Sequence, residues 1–210
     1  MSGIEAIYRS YAASEFETIS LSRIVSAVRA APDLNMWLHP LGFYHAELTD
    51  LAGSPPGERF RLHIWLDSKG VGDDLGNLHE HTWHLTSLVL AGQVEDIDLL
   101  AVESASGKYS GSRIIYGDVN GADVAGRFDL AEVQRRSIGV GDVYTIPSRT
   151  VHLNSVSRLP TVTLVRSVED ARGDGPLVLT LHSASGGFAT GTRKKVDVDD
   201  VLDRLLSMVG

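Results

Sequence analysis

The chain has 210 residues, 43% of them hydrophobic, and a formal net charge of -8, which suits one well-buried core and makes two domains an unlikely default. Its 19 Lys and Arg are scattered instead of forming a basic stripe, which argues against a nucleic-acid partner, and the absence of cysteine excludes disulfides, thiolate ligands and a Cys nucleophile. No apolar run approaches the roughly 20 residues of a membrane span and the N-terminus has no basic segment leading into an apolar core, so a soluble, cytoplasmic protein acting on a small molecule is expected.

From Ser20 the run Ser-Leu-Ser-Arg-Ile-Val-Ser-Ala-Val-Arg-Ala-Ala repeats apolar residues at helical spacing and stops before Pro32, which predicts an amphipathic helix of about three turns. Periods near two then dominate. They predict strands over Phe60–Leu66, His79–Leu90, Asp96–Val102, Arg113–Tyr116, Val143–Ile146, Val162–Val168 and Leu177–His182, with Asp118–Gly126 as an inter-strand loop. Turn chemistry at Ser54-Pro-Pro-Gly57, Ser106-Gly107, Asn120-Gly121 and Gly173-Asp-Gly175 separates them. Val198–Val209 sets Val201, Leu202, Leu205, Leu206 and Val209 on one face behind Asp-rich capping residues. The expectation is an all-β antiparallel sandwich or barrel, flanked by N- and C-terminal helices that cover a sheet edge or a partner.

His79, His81 and His84 fall within six residues, and His152 follows in a second stretch, Gly139-Val-Gly-Asp-Val-Tyr-Thr-Ile-Pro-Ser-Arg-Thr-Val-His152. Residues two apart on a strand face the same side, so His79 and His81 project together and a third ligand from a neighbouring strand would complete one face of an ion's coordination sphere. His152 is the natural third. His84 has the wrong parity in a regular strand and is expected in solvent or supporting a ligand, unless a bulge turns it inward as a fourth ligand.

These stretches resemble the two motifs of the cupin superfamily, G-x5-H-x-H-x3,4-E-x6-G and G-x5-P-x-G-x2-H-x3-N. His79, His81 and Gly92 match the first, and Gly141, Pro147 and His152 the second. Leu85 stands where the first motif has Glu; Arg149 and Val156 stand where the second has Gly and Asn. The resemblance implies a cupin-type barrel over 59–183, an N-terminal helical and extended segment over 1–58 packing on it, and a C-terminal loop and helix over 184–210. It also implies a metal site.

Without the Glu, three neutral imidazoles would leave a divalent ion its full charge and up to three open positions, favouring an anionic chelating ligand together with water or dioxygen. The string His79-Glu-His81-Thr is similar to the three-His ferrous site of thiol dioxygenases such as cysteine dioxygenase. Their Cys-Tyr crosslink has no counterpart here. Their Ser-His-Tyr relay would fall near Thr163, Val165 and Ser167, and is absent.

Around this centre, Trp83 and Leu85 share the ligand face and are expected to wall a pocket, while Glu80 points away as a solvated or salt-bridging residue. Alternation puts Arg61, His63 and Trp65 on one face; if that face is inside, Arg61 could hold a substrate carboxylate, with Arg149 and Arg166 as further anion clamps. Tyr144 could orient oxygen or donate a proton. His39, His45 and His182 are read as structural. Gly70, Gly72 and Gly76, with Asp73 and Asp74, are read as a flexible loop at the site's entrance.

The leading expectation is a mononuclear non-haem Fe(II) oxygenase for a small anionic metabolite, possible as a homodimer. One alternative is a Zn, Ni or Mn isomerase, decarboxylase or lyase with Glu47, Tyr144 or His84 as the acid-base group. Another is a non-catalytic metabolite-binding barrel, for which no helix-turn-helix pattern suggests a regulatory role.

Overall fold

The computed structural model describes residues 2–67, 78–115, 121–170, 174–182 and 193–210. The glycine loop expected between 70 and 76 lies outside these residues, as do Tyr116, Asp118 to Asn120 and Gly173.

Helices form where capped amphipathic runs meet a sheet. Ser2 caps α1 (Gly3–Ala12) by accepting from the Glu5 N–H, and Ser20 caps α2 (Leu21–Arg29) by accepting from that of Arg23. α1 was not anticipated from the sequence. Its inward face, Ile4, Ile7, Tyr8 and Tyr11, is buried at helical spacing. Strands β1 (Met36–Leu38) and β2 (Tyr44–Glu47) and the single-turn α3 (Thr49–Ala52) lead to β3 (Glu58–Trp65).

The remainder is mostly antiparallel β: β4 (Leu78–His79), β5 (Trp83–Glu103), β6 (Tyr109–Ile115), β7 (Gly121–Ile138), β8 (Val143–Ile146), β9 (Val151–Glu169), β10 (Leu177–Leu181) and β11 (Lys194–Val196), closed by α4 (Val198–Val209) behind its cap Asp197. Where a loop was expected, residues 121 to 126 begin β7 and pair with β6. The two strands predicted over 79–90 and 96–102 differ from the single continuous β5, which starts only at Trp83.

The long β5 and β9 pair along nearly their whole lengths, with register shifts between Val89 and Val94. Gly92 lies at these shifts with φ 73. A Cβ there would meet Thr161 Oγ1 and the carbonyls of Pro160 and Arg158 far inside van der Waals contact, so the fold requires glycine at this point. One half of this ribbon pairs with β3 and β8, and β3 carries β2, β1 and β11 beyond it. The other half belongs to a ring. β9 pairs with β4, β4 with β10, β10 with β6, β6 with β7, β7 with β5, and β5 returns to β9. The ring of pairings closes a barrel, with the two-residue β4 as its shortest link.

The helices cover a sheet face rather than an edge. Ile7, Ile24, Val28, Leu202 and Leu205 pack against Phe60, Leu62, Ile64, Val162 and Leu164. Alternate residues of β3 therefore separate cleanly: Phe60, Leu62 and Ile64 are at most 1% exposed, whereas Arg61, His63 and Trp65 lie half-buried on the opposite face.

Candidate metal centre

His79 ends β4 and lies directly opposite His152 on β9 in the antiparallel ladder. His81 follows in the short connection before β5. The three rings form a triangle with centroid separations of 4.6 Å for His79 and His81, 4.9 Å for His79 and His152, and 5.1 Å for His81 and His152. One ligand nitrogen of each lies within 4.8 Å of the other two.

Two devices hold the connection carrying His81. Glu80 turns away from the imidazoles, as alternation predicts, but it is buried at 4% exposure rather than solvated. Its carboxylate accepts from Arg113, from Arg149 Nη1 at 2.9 Å and from the Leu177 backbone N–H at 3.1 Å, so a buried charge is met by two cations and a backbone donor. The Arg149 N–H also donates to the His81 carbonyl at 2.8 Å. Arg149 has φ 65, the left-handed conformation that the glycine of the cupin motif would adopt without strain. Its guanidinium is engaged by Glu80 and by the Asp174 and Gly175 carbonyls.

His152 is 2% exposed and its Nδ1 lies 3.4 Å from Asp96 Oδ1. Asp96 is fully buried and ion-paired with Arg136, which also reaches Asp98 at 3.1 Å. A carboxylate at Nδ1 favours the proton there and leaves Nε2 with its lone pair outward. His152 Nε2 is buried and has no hydrogen-bond partner among the described residues. Burial, the neighbouring His79 and His152 and the Arg61 charge together push His81 well below the usual histidine range, so it stands neutral and ready to donate a lone pair. An orphaned buried nitrogen within a trio of converging imidazoles fits a divalent metal. Among the described residues no carboxylate joins the group; Leu85 packs instead with Val89, Val94, Ile138, Tyr144 and Ile146.

His84 stands apart from the trio. Its side chain is 57% exposed, its Nδ1 accepts from the Ser148 N–H at 3.2 Å, and its Nε2 lies 3.8 Å from Asp170. Tyr144 is buried opposite Ser87 in the β5–β8 ladder, and loss of solvent pushes its phenol up to about 12. Arg61 is on the site side. Trp83 stacks on His81 at 5.1 Å, and the Arg61 guanidinium lies 5.5 Å from the Trp83 ring. Arg61 Nη2 donates to Ser167 Oγ at 2.6 Å, while its buried Nε has no partner among the described residues. Arg166 is committed elsewhere, to Glu58.

Sequence reasoning missed Asp96 and Arg136. The available signal was Asp96-Ile-Asp98, two acids with the same parity just before the apolar run Leu99–Val102, paired with a strand that carries Arg135-Arg136.

No protein-family model matches the chain, and comparison with curated proteins finds no relative by sequence. Among solved structures, the chain is similar to an oxalate decarboxylase from Bacillus subtilis at 16% identity, covering 67% of this chain and 29% of that one with a TM-score of 0.39. It is similar to a recombinant oxalate oxidase in complex with glycolate at 14% identity, covering 67% and 56% with a TM-score of 0.40. It is also similar to the Streptomyces albus HEPD with 2-hydroxyethylphosphonate and Fe(II) bound, at 11% identity, covering 66% and 25% with a TM-score of 0.38. The matched region spans less than two thirds of each of these proteins.

Proposed function

We propose that the protein is a cupin-type metal-dependent enzyme in which His79, His81 and His152 hold one divalent ion, and that it oxidises a small anionic metabolite with dioxygen. The observation that carries this reading is the buried Nε2 of His152, unpartnered among the described residues, inside a three-imidazole trio that none of their carboxylates enters. Ferrous iron is the metal proposed first; bound there, it would supply redox chemistry with open positions for two small ligands.

The chain's own groups provide the rest. Asp96 fixes the ring of His152, and Glu80, gripped by two arginines, fixes the turn between His79 and His81. Arg61 brings a desolvated positive charge to the same face; burial and the nearby Arg59 and Arg193, opposed by Glu47, lower it to about 10, which still leaves it cationic at neutral pH. An anionic substrate would gain charge-assisted hydrogen bonds from Arg61. Trp83 bridges Arg61 and His81 with an apolar ring that keeps water off both.

Anaerobic purification followed by elemental analysis and oxygen-uptake measurement tests this. Stoichiometric iron with substrate-dependent oxygen consumption is expected. Bound zinc with activity that needs no oxygen would transfer the reading to isomerase, decarboxylase or lyase chemistry.

A further inference from the structure

The face of β3 that carries Arg61 continues away from the histidine trio into a second group of side chains. His45 on β2 lies directly opposite His63 on β3, and Glu47 opposite Arg61. The two imidazole centroids are 5.4 Å apart, with Phe43 4.9 Å from His63 and Trp37 6.2 Å from His45.

Three features separate this group from ordinary core. His45 is 5% exposed, yet its Nδ1 is buried with no hydrogen-bond partner among the described residues, as is Arg61 Nε on the same face. A buried polar atom left unmade costs about 1–3 kcal/mol, so two on one face mark a place where a polar ligand belongs. Next, Trp37, Phe43, His63 and Trp65 are all half-buried, whereas the other side of β3 is sealed. Finally, in a chain of net charge -8, Arg59, Arg61 and Arg193 all act on His45 and His63 or on each other through their charges. Burial and these cations lower His45 to about 3 and His63 well below its ordinary value. Both rings are therefore neutral donors whose surroundings are positive.

We propose that His45, His63 and Arg61 form a subsite for an acidic group, so that the substrate is two-ended: one end binds at the histidine trio and a carboxylate at the other end binds here. The subsite assignment rests on its own residues, and the two-ended substrate rests on the metal reading above. The two places lie close enough for one small molecule, since the Trp83 ring touches both His81 and Arg61, at 5.1 and 5.5 Å. A carboxylate would accept one N–H from an imidazole and one from Arg61 Nε, satisfying atoms that the protein leaves unpaired.

Imidazole proton–nitrogen NMR of the full chain tests the subsite, with His45 and His63 assigned through His45→Gln and His63→Gln. Butyrate, which has one carboxylate, is titrated into metal-free protein, and malonate, succinate, glutarate and adipate into metal-free and zinc-loaded protein. Both imidazoles are expected to shift with butyrate. Zinc is expected to tighten one chain length of dicarboxylate by about tenfold or more over the others, through effective concentration, and either Gln variant should lose that gain while binding zinc as before. Imidazoles that respond, with zinc bound but no zinc-dependent gain for any dicarboxylate, would uphold the subsite and overturn the two-ended substrate, whereas failure to bind zinc at all would overturn the metal reading. Imidazoles silent to every carboxylate, with zinc bound normally, would overturn the subsite and leave the metal reading standing. The wild-type shifts decide the question even if a variant fails to fold.

Discussion

Asp96 Oδ1 stands 3.4 Å from His152 Nδ1, the ring nitrogen other than the unpartnered Nε2. The carboxylate belongs to β5 and the imidazole to β9, so the longest ladder in the molecule sets their separation. Asp96→Asn should retain the fold while lowering zinc affinity about 10- to 100-fold, the usual effect of losing a group that orients a ligand. Competition against a chelating dye would measure it. Unchanged affinity would show that β9 alone orients His152.

His79→Ala, His81→Ala and His152→Ala should each abolish most metal binding, and His84→Ala should preserve it. Elemental analysis of the four purified variants checks this. Loss in His84→Ala equal to the others would remove the distinction between the trio and the exposed ring held by Ser148.

Gly92→Ala should destabilise the protein by about 1–3 kcal/mol from backbone strain alone, and by more because its Cβ collides with Thr161 and two carbonyls. Gly141→Ala should cost nearer the lower figure, since φ is 87 there but nothing lies within 4 Å of the added atom. Urea denaturation with two-state fitting separates the pair.

Stability should fall as pH drops below the unfolded-state histidine value of about 6.5. His45 is lowered to about 3 in the folded chain by burial and by neighbouring arginines, so between these values the unfolded state binds a proton that the folded state refuses. The sign is therefore destabilisation with acid, present from about pH 6.5 down to about pH 3, and by pH 5 the loss from His45 alone is about 2 kcal/mol. His45→Gln should flatten that part of the stability profile; an unchanged slope in metal-free protein would count against the buried neutral imidazole.

Much of the centre was legible because strand parity is a local property. His79 and His81 were paired by their two-residue spacing, although only His79 lies on a strand, and His152 came from a motif in which Gly141 and Pro147 flank strand β8. Arg149 was misleading as a departure from that motif, since an arginine occupies the left-handed backbone expected of glycine and is held there by contacts with Glu80 that no local pattern reports. Asp96 needed a partner some 56 residues away to acquire meaning. The same holds for His45, which looks isolated in the sequence and gains its role only from the register that sets it opposite His63. α1 escaped notice because its apolar face includes Tyr8 and Tyr11, whose hydroxyls reach Glu58 and the backbone of β5 and β9.

The division of β3 into two faces has a consequence for how such a protein can change. Phe60, Leu62 and Ile64 answer to the helices, and Arg61, His63 and Trp65 to whatever occupies the opposite side. One eight-residue segment thus carries two messages in alternating letters. Mutational drift in the odd-numbered positions can rewrite ligand preference while the even-numbered ones keep the architecture intact, so new substrates can be reached without passing through unfolded intermediates in sequence space.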